Sequence, residues 1–236
     1  MFKKISVFLV FALMGAIIVG CGSGSDDLPE VLALVNGEEI SKEDFEAEFE
    51  QYLLGLQQQG HDLDALKDDP QFKEFKPQVQ QQILDQLISV ELINQGAADQ
   101  GVTKDSVQGE LDEFMSMVIE GEFGGDKDEF EKVIEEQLDL SIDEYKELLV
   151  QDLVQEEYLE KNIDFDAISV SKEDMKEVYD QQVEMMEAQG MEEIPGFDEI
   201  AMVIEEQLMD EQVGLKVQDF IEDLRADSDV EVKVEF

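Results

Sequence analysis

The sequence is poor in the residues that usually carry chemistry. Among 236 residues there is one cysteine, Cys21, and one histidine, His61. A lone cysteine excludes an internal disulfide. Without a cysteine or histidine pair there is no ordinary transition-metal site. Ser-His-Asp catalysis would have to use His61, which falls in a polar stretch, and no nucleophile motif surrounds any serine. No phosphate-binding glycine loop occurs. Asp126-Lys127-Asp128 opens like a calcium loop but lacks the later glycine and spaced ligands. Neither a catalytic residue nor a metal or other cofactor is therefore expected. Bases are also scarce: 16 Lys and Arg face 61 Asp and Glu, a net charge of −45. Nucleic acid is excluded as a partner, because its phosphates repel such a body. With only four prolines and few strand signals, the chain reads as mostly helical.

The acids are spread along the whole chain, as on solvated helix faces. Two readings fit: a saline medium that screens the self-repulsion, or a surface that attracts basic partners. The even spread favours the first. High charge can mean disorder, but 43% of the residues are hydrophobic and their spacing is periodic, so a fold is expected. The roughly 215 residues after position 20 suit one large domain or two small ones.

Met1-Phe2-Lys3-Lys4 precedes an apolar run from Ile5 to Val19. A short positive head on so short a greasy stretch reads as a secretory signal, since a membrane span needs about 20 apolar residues. The run ends Ile18-Val19-Gly20-Cys21, which resembles the lipobox of bacterial lipoproteins. The resemblance implies cleavage after residue 20, acyl lipid on Cys21, and residence on the outer face of the cytoplasmic membrane. Residues 21–30 read as the lipidated tether. The nine from Gly22 to Glu30 reach roughly 15–18 Å if flexible.

The body, residues 31–236, reads as strand, helices, strand. Val31-Leu32-Ala33-Leu34-Val35, the turn Asn36-Gly37 and Glu38-Glu39-Ile40 form a hairpin pattern. Ser41 then caps a helix with Phe45, Phe49, Tyr52, Leu53 and Leu56 on one stripe. Residues 60–76 read as a polar loop with a short helical turn near Phe72 and Phe75, and Pro77 as the opening of a long buried helix. Gly101 stops that helix and Thr103 caps the next. Ser141-Ile142-Asp143-Glu144 reads as a capping box. Ser171-Lys172-Glu173-Asp174 repeats the cap at Ser41. Residues 187–197 break the chain before a final helix carrying Ile200, Val203, Ile204, Leu208, Leu215, Phe220, Ile221 and Leu224. The alternation from Val230 to Phe236 predicts a half-buried strand. A lone hairpin is marginal in water, so this strand is expected to join the hairpin and bring the two ends of the body together.

Val35-Asn36-Gly37-Glu38-Glu39-Ile40-Ser41-Lys42-Glu43-Asp44-Phe45 resembles the opening of the SurA-type N-terminal chaperone domain. Ile83 to Ile88 with Gln100-Gly101-Val102-Thr103 resembles its central helix and turn, and Asp126 to Tyr158 its later helices. With the lipobox, and with Phe197 to Phe236 resembling a C-terminal return, the layout is similar to that of the PrsA-like foldase lipoproteins of Gram-positive bacteria. That family usually carries a parvulin-type prolyl isomerase domain between its two chaperone segments. Here the corresponding stretch, 180–196, is too short, and the histidines of that site are missing. The resemblance therefore implies a holder of unfolded exported proteins without isomerase chemistry. Two other readings stay open. A diverged isomerase would accelerate proline-limited refolding, and a scaffold for one envelope protein would capture a single stoichiometric partner.

Eight methionines follow residue 20, and six of them lie from Met175 to Met209. Methionine fills cores, but it also suits surfaces that accept many partners. Met185 and Met186 are adjacent, so a narrow helical stripe cannot bury both. With Met191, Ile194 and Phe197 they are the candidate client-binding residues.

Overall fold

A computed structural model describes residues 28–138, 140–188, 190–191 and 194–236. The expected signal segment, Cys21 and the tether up to residue 27 lie outside the described residues. Among those described, the protein is mostly helical, with eight α-helices and one three-stranded sheet. The elements run β1 (Val31–Val35), β2 (Glu38–Ser41), α1 (Lys42–Gln58), α2 (Leu63–Asp68), α3 (Pro70–Asp99), α4 (Lys104–Glu122), α5 (Lys127–Leu138), α6 (Ile142–Asn162), α7 (Lys172–Ala188), α8 (Phe197–Ala226) and β3 (Val230–Val232). They divide into two compact units. The first holds the described residues 28–158 with Leu224–Phe236, and the second is Leu159–Asp223.

In the first unit the expected hairpin and its third strand are present. The order is β2-β1-β3, with both pairings antiparallel. Asn36 (φ 52°) and Gly37 (φ 93°) take the left-handed turn conformations that a two-residue hairpin loop requires. Asn36 does more than turn the chain. Its amide nitrogen donates to Gln95 Oε1 (2.8 Å), its side-chain oxygen accepts from the Asp229 N–H (2.8 Å), and its backbone N–H donates to the Asp229 carbonyl (2.8 Å). One residue thus joins the hairpin, α3 and the approach to β3. Asn36→Ala is expected to cost about 2 kcal/mol, the sum of left-handed strain and two lost side-chain bonds. Asn36→Gly, which removes the bonds but keeps the turn, should cost less. Urea midpoints check both.

The strand expected over 230–236 is regular only across Val230–Val232, paired with Val35, Leu34 and Ala33, and it stops beside the register irregularity of β1 between Val31 and Ala33. Beyond it, the Lys233 N–H still donates to the Leu32 carbonyl (2.8 Å). Val232 is exposed, whereas Val230, Val234 and Phe236 pack on the core. Phe236 stacks on Phe45 at 5.1 Å. That core comprises Leu32, Ala33, Val35, Ile40 and Phe45 against Val79, Ile83, Leu84, Ile88 and Leu92 of α3. The chain's only arginine, Arg225, closes it from the side through an ion pair with Asp85 (2.9 Å).

The stretch 60–76 departs from the loop expectation. α2 occupies part of it, and α3 begins at Pro70 instead of Pro77. The Asp69 carboxylate accepts from the Gln71 and Phe72 N–H groups, and Pro70 takes the first-turn place that tolerates a missing N–H. Pro77 then lies inside α3 and forfeits one helical hydrogen bond. Phe72, buried and edge-on to Phe75 at 5.2 Å, helps hold the extra turns.

A second core joins α4, α5 and α6 through Val107, Leu111, Met115, Ile119, Phe130, Ile134, Leu140 and Val150. The capping box at α6 is present: Ser141 N–H donates to the Glu144 carboxylate (2.7 Å) and Glu144 N–H to the Ser141 hydroxyl (3.3 Å). The same reciprocal arrangement links Ser171 and Asp174 at α7.

Burial, and then the neighbouring Asp44, push the Glu48 carboxyl up from its ordinary value, and burial pushes Asp152 up. Both bind a proton more tightly in the folded chain than in the unfolded one. The stability they cost at neutral pH is recovered as the pH falls toward their raised values. Glu144 is lowered by its hydrogen bonds to the Ser141 hydroxyl and backbone, so its stabilisation fades only as the pH drops below its ordinary 4.5. The melting temperature is therefore expected to rise as the pH is taken from 7 to about 5, and self-repulsion of a net −45 chain acts in the same direction. Thermal scans across that interval check the sign. A monotonic fall would contradict it.

Candidate functional site

The second unit centres on α7 and α8. Its small core is Met175, Ile204 and Leu208, flanked by Val170, Val178, Tyr179, Phe197, Ile200 and Ala201. These residues repeat at three and four along each helix, so each contributes one apolar stripe. At the end of α7, Gly190 (φ 77°) adopts the left-handed cap, and the Met191 N–H returns to the Met186 carbonyl (3.1 Å). The chain re-enters helix at Gly196, whose N–H donates to the Glu199 carboxylate (2.8 Å). Tyr179 fixes the connection by donating its hydroxyl to the Pro195 carbonyl (3.0 Å).

The five sequence-derived client residues part company here. Phe197 is held in the local core, edge-on to Tyr179 at 5.5 Å, with the Lys172 and Lys176 ammonium groups 5.8 and 6.0 Å from its ring centre. Met186 and Ile194 are half-buried. Met185 and Met191 are exposed, at 62% and 48%. Sequence reading missed three further exposed apolar side chains of this unit. Met202 is 80% exposed, and Val203 and Leu215, placed on the apolar stripe of the last helix, are 63% and 48% exposed. The stripe of α8 that is buried passes instead through Ile204, Leu208, Val213 and Val217. Val203 adjoins Ile204 in sequence and therefore points about 100° away from it. The missed signal was the width of the apolar band, broader than one core-facing stripe can bury.

Exposed apolar side chains of this size are unremarkable singly, but five of them belong to a unit of 65 residues. They are set among acids. The outer side of α7 carries Glu173, Glu177, Asp180 and Glu184 along an open depression shared with Lys176 and Gln181. The depression itself is polar, so the apolar side chains are presented outside it. Among the described residues no group of three or more His, Cys, Asp or Glu is placed to hold a metal ion. The Asp126 carboxylate instead caps α5 by accepting from the Glu129 N–H (3.1 Å). His61 lies exposed between α1 and α2. No described helix is long and apolar enough to cross a membrane.

The chain matches the SurA-like N-terminal domain over residues 2–159, and it belongs to that family. It is also similar to the foldase protein PrsA of Caldanaerobacter subterraneus subsp. tengcongensis, with 27% identity over 199 residues, 84% of this chain. The chain spans 58% of the length of that curated relative. No solved structure matches it. The family match ends where the second unit begins, so most of the exposed methionines lie outside it.

Proposed function

We propose that this protein is a lipid-anchored extracytoplasmic chaperone that holds unfolded exported proteins by apolar contact, without prolyl isomerase chemistry. The observation that carries the reading is the set of solvent-facing Met185, Met191, Met202, Val203 and Leu215 in a chain otherwise dominated by acids. Unfolded chains offer apolar side chains in no fixed geometry, and flexible thioethers adapt to such partners at small conformational cost. The surrounding carboxylates keep the apolar surface soluble and attract lysine- and arginine-bearing segments. Membership of the SurA-like family and similarity to a foldase support the folding role. The lipobox-like ending at Cys21 supports the anchor, with residues 1–20 as its signal peptide and 21–30 as its tether.

The test is suppression of aggregation of a denatured client. A variant with Met185, Met191, Met202 and Val203 changed to serine is expected to lose holding several-fold while its helical signal stays unchanged, because all four side chains lie outside the cores. Unchanged holding would remove the proposed surface. A proline-limited refolding assay run beside it should show no acceleration.

A further inference from the structure

The eight described methionines fall into distinct classes of exposure. Met115 and Met175 are buried at 8% and 9%, and Met186 and Met209 are half-buried. Met117, Met185, Met191 and Met202 stand open at 64%, 62%, 48% and 80%. Three of these four belong to the second unit, where they make up most of its exposed large apolar side chains. The sequence holds one cysteine, Cys21, whose sulfur is capped by lipid under the function proposed above. No thiolate is then left to intercept an oxidant, and the exposed thioethers are the next sulfur nucleophiles available.

We propose that Met185, Met191 and Met202 are a reversible oxidation site, and that their conversion to sulfoxides switches off apolar client capture. This inference rests on the holding function proposed above. The oxidant class is a peroxide or hypohalous acid met outside the cytoplasm. The thioether sulfur attacks the terminal oxygen of hydrogen peroxide, an S–O bond forms as the O–O bond breaks, and water leaves. Sulfur loses two electrons and the peroxide gains them. Reduction by a sulfoxide reductase reverses the change, two thiols becoming a disulfide and the oxygen leaving as water. A sulfoxide is polar and strongly hydrated, so three apolar contacts become three that resist desolvation. The fold is spared because the core methionine Met175, packed with Ile204 and Leu208, is shielded.

The experiment treats the full-length protein with graded hydrogen peroxide, maps the sulfoxides by peptide mass spectrometry, and measures client aggregation before and after. Met117, Met185, Met191 and Met202 are expected to oxidise well before Met115 and Met175. Holding should fall several-fold with helicity intact, and sulfoxide reductase with a thiol donor should restore it. The variant M185L/M191L/M202L retains Met117, and it should keep after peroxide whatever holding it shows before peroxide. Oxidation of Met175 as fast as Met202, holding that survives complete oxidation, or equal peroxide sensitivity of the leucine variant would each overturn the switch alone. A protein that fails to hold client before any oxidant is added would overturn the holding function itself, and the switch with it.

Discussion

Gly96→Ala is expected to be among the most damaging single-methyl changes in the protein. Gly96 lies within α3, and a Cβ there would overlap the Tyr158 hydroxyl and come within 2.5 Å of its Cζ. Tyr158 is 2% exposed and cannot swing into solvent without vacating its site. Alanine improves helix propensity over glycine by about 1 kcal/mol. Overpacking of a filled core costs about 1–3 kcal/mol, and more when the neighbour is rigid. We expect the overlap to win, with a net loss of about 2 kcal/mol or more, read as a lower urea midpoint at unchanged slope. The same substitution at Gly109, exposed within α4 with nothing within 4 Å of the new methyl, should raise stability by about 1 kcal/mol. Opposite signs for one chemical change isolate the contact. If both variants gain stability, α3 and α6 do not approach as closely as Gly96 and Tyr158 imply.

The second large effect concerns location. Cys21→Ser should move the protein from the membrane fraction to the soluble one in cells that export it. Each buried methylene of an acyl chain contributes about 0.8 kcal/mol, so the two chains proposed on Cys21 would make a durable anchor. Among the described residues there is no membrane-crossing helix to retain the variant. A serine variant that stays with the membrane would refute lipid anchoring at this position.

Much of this fold is legible in the sequence because its signals are local. Asn36-Gly37 demands left-handed backbone, Ser41, Ser141 and Ser171 supply caps, and the period of apolar residues names each helix. The pairing of the C-terminal strand follows from the weakness of a lone hairpin. The errors came where local signals compete. Asp69-Pro70 and Pro77 are both acceptable helix openings, and only the burial of Phe72 decides for the earlier one. Likewise, alternation from Val230 to Phe236 cannot reveal that the regular ladder ends at Ala33, beside an irregularity in the register of β1. The candidate surface was half legible. Adjacent Met185 and Met186 show that something must be exposed, but which face of α8 turns outward depends on packing in three dimensions. Phe197, grouped with Met191 and Ile194 from the sequence, is partly buried beside Tyr179 and two lysines.

The bond between Asn36 and Asp229 spans 193 positions. A chain made from its N-terminal end delivers β1 long before its second neighbour, β3, arrives. Throughout that interval one edge of β1 stands open, and Phe45 waits for Phe236. Completion of the sheet therefore waits for β3, nearly 200 positions after β1, and until then the first unit lacks both the third strand and the ring that stacks on Phe45.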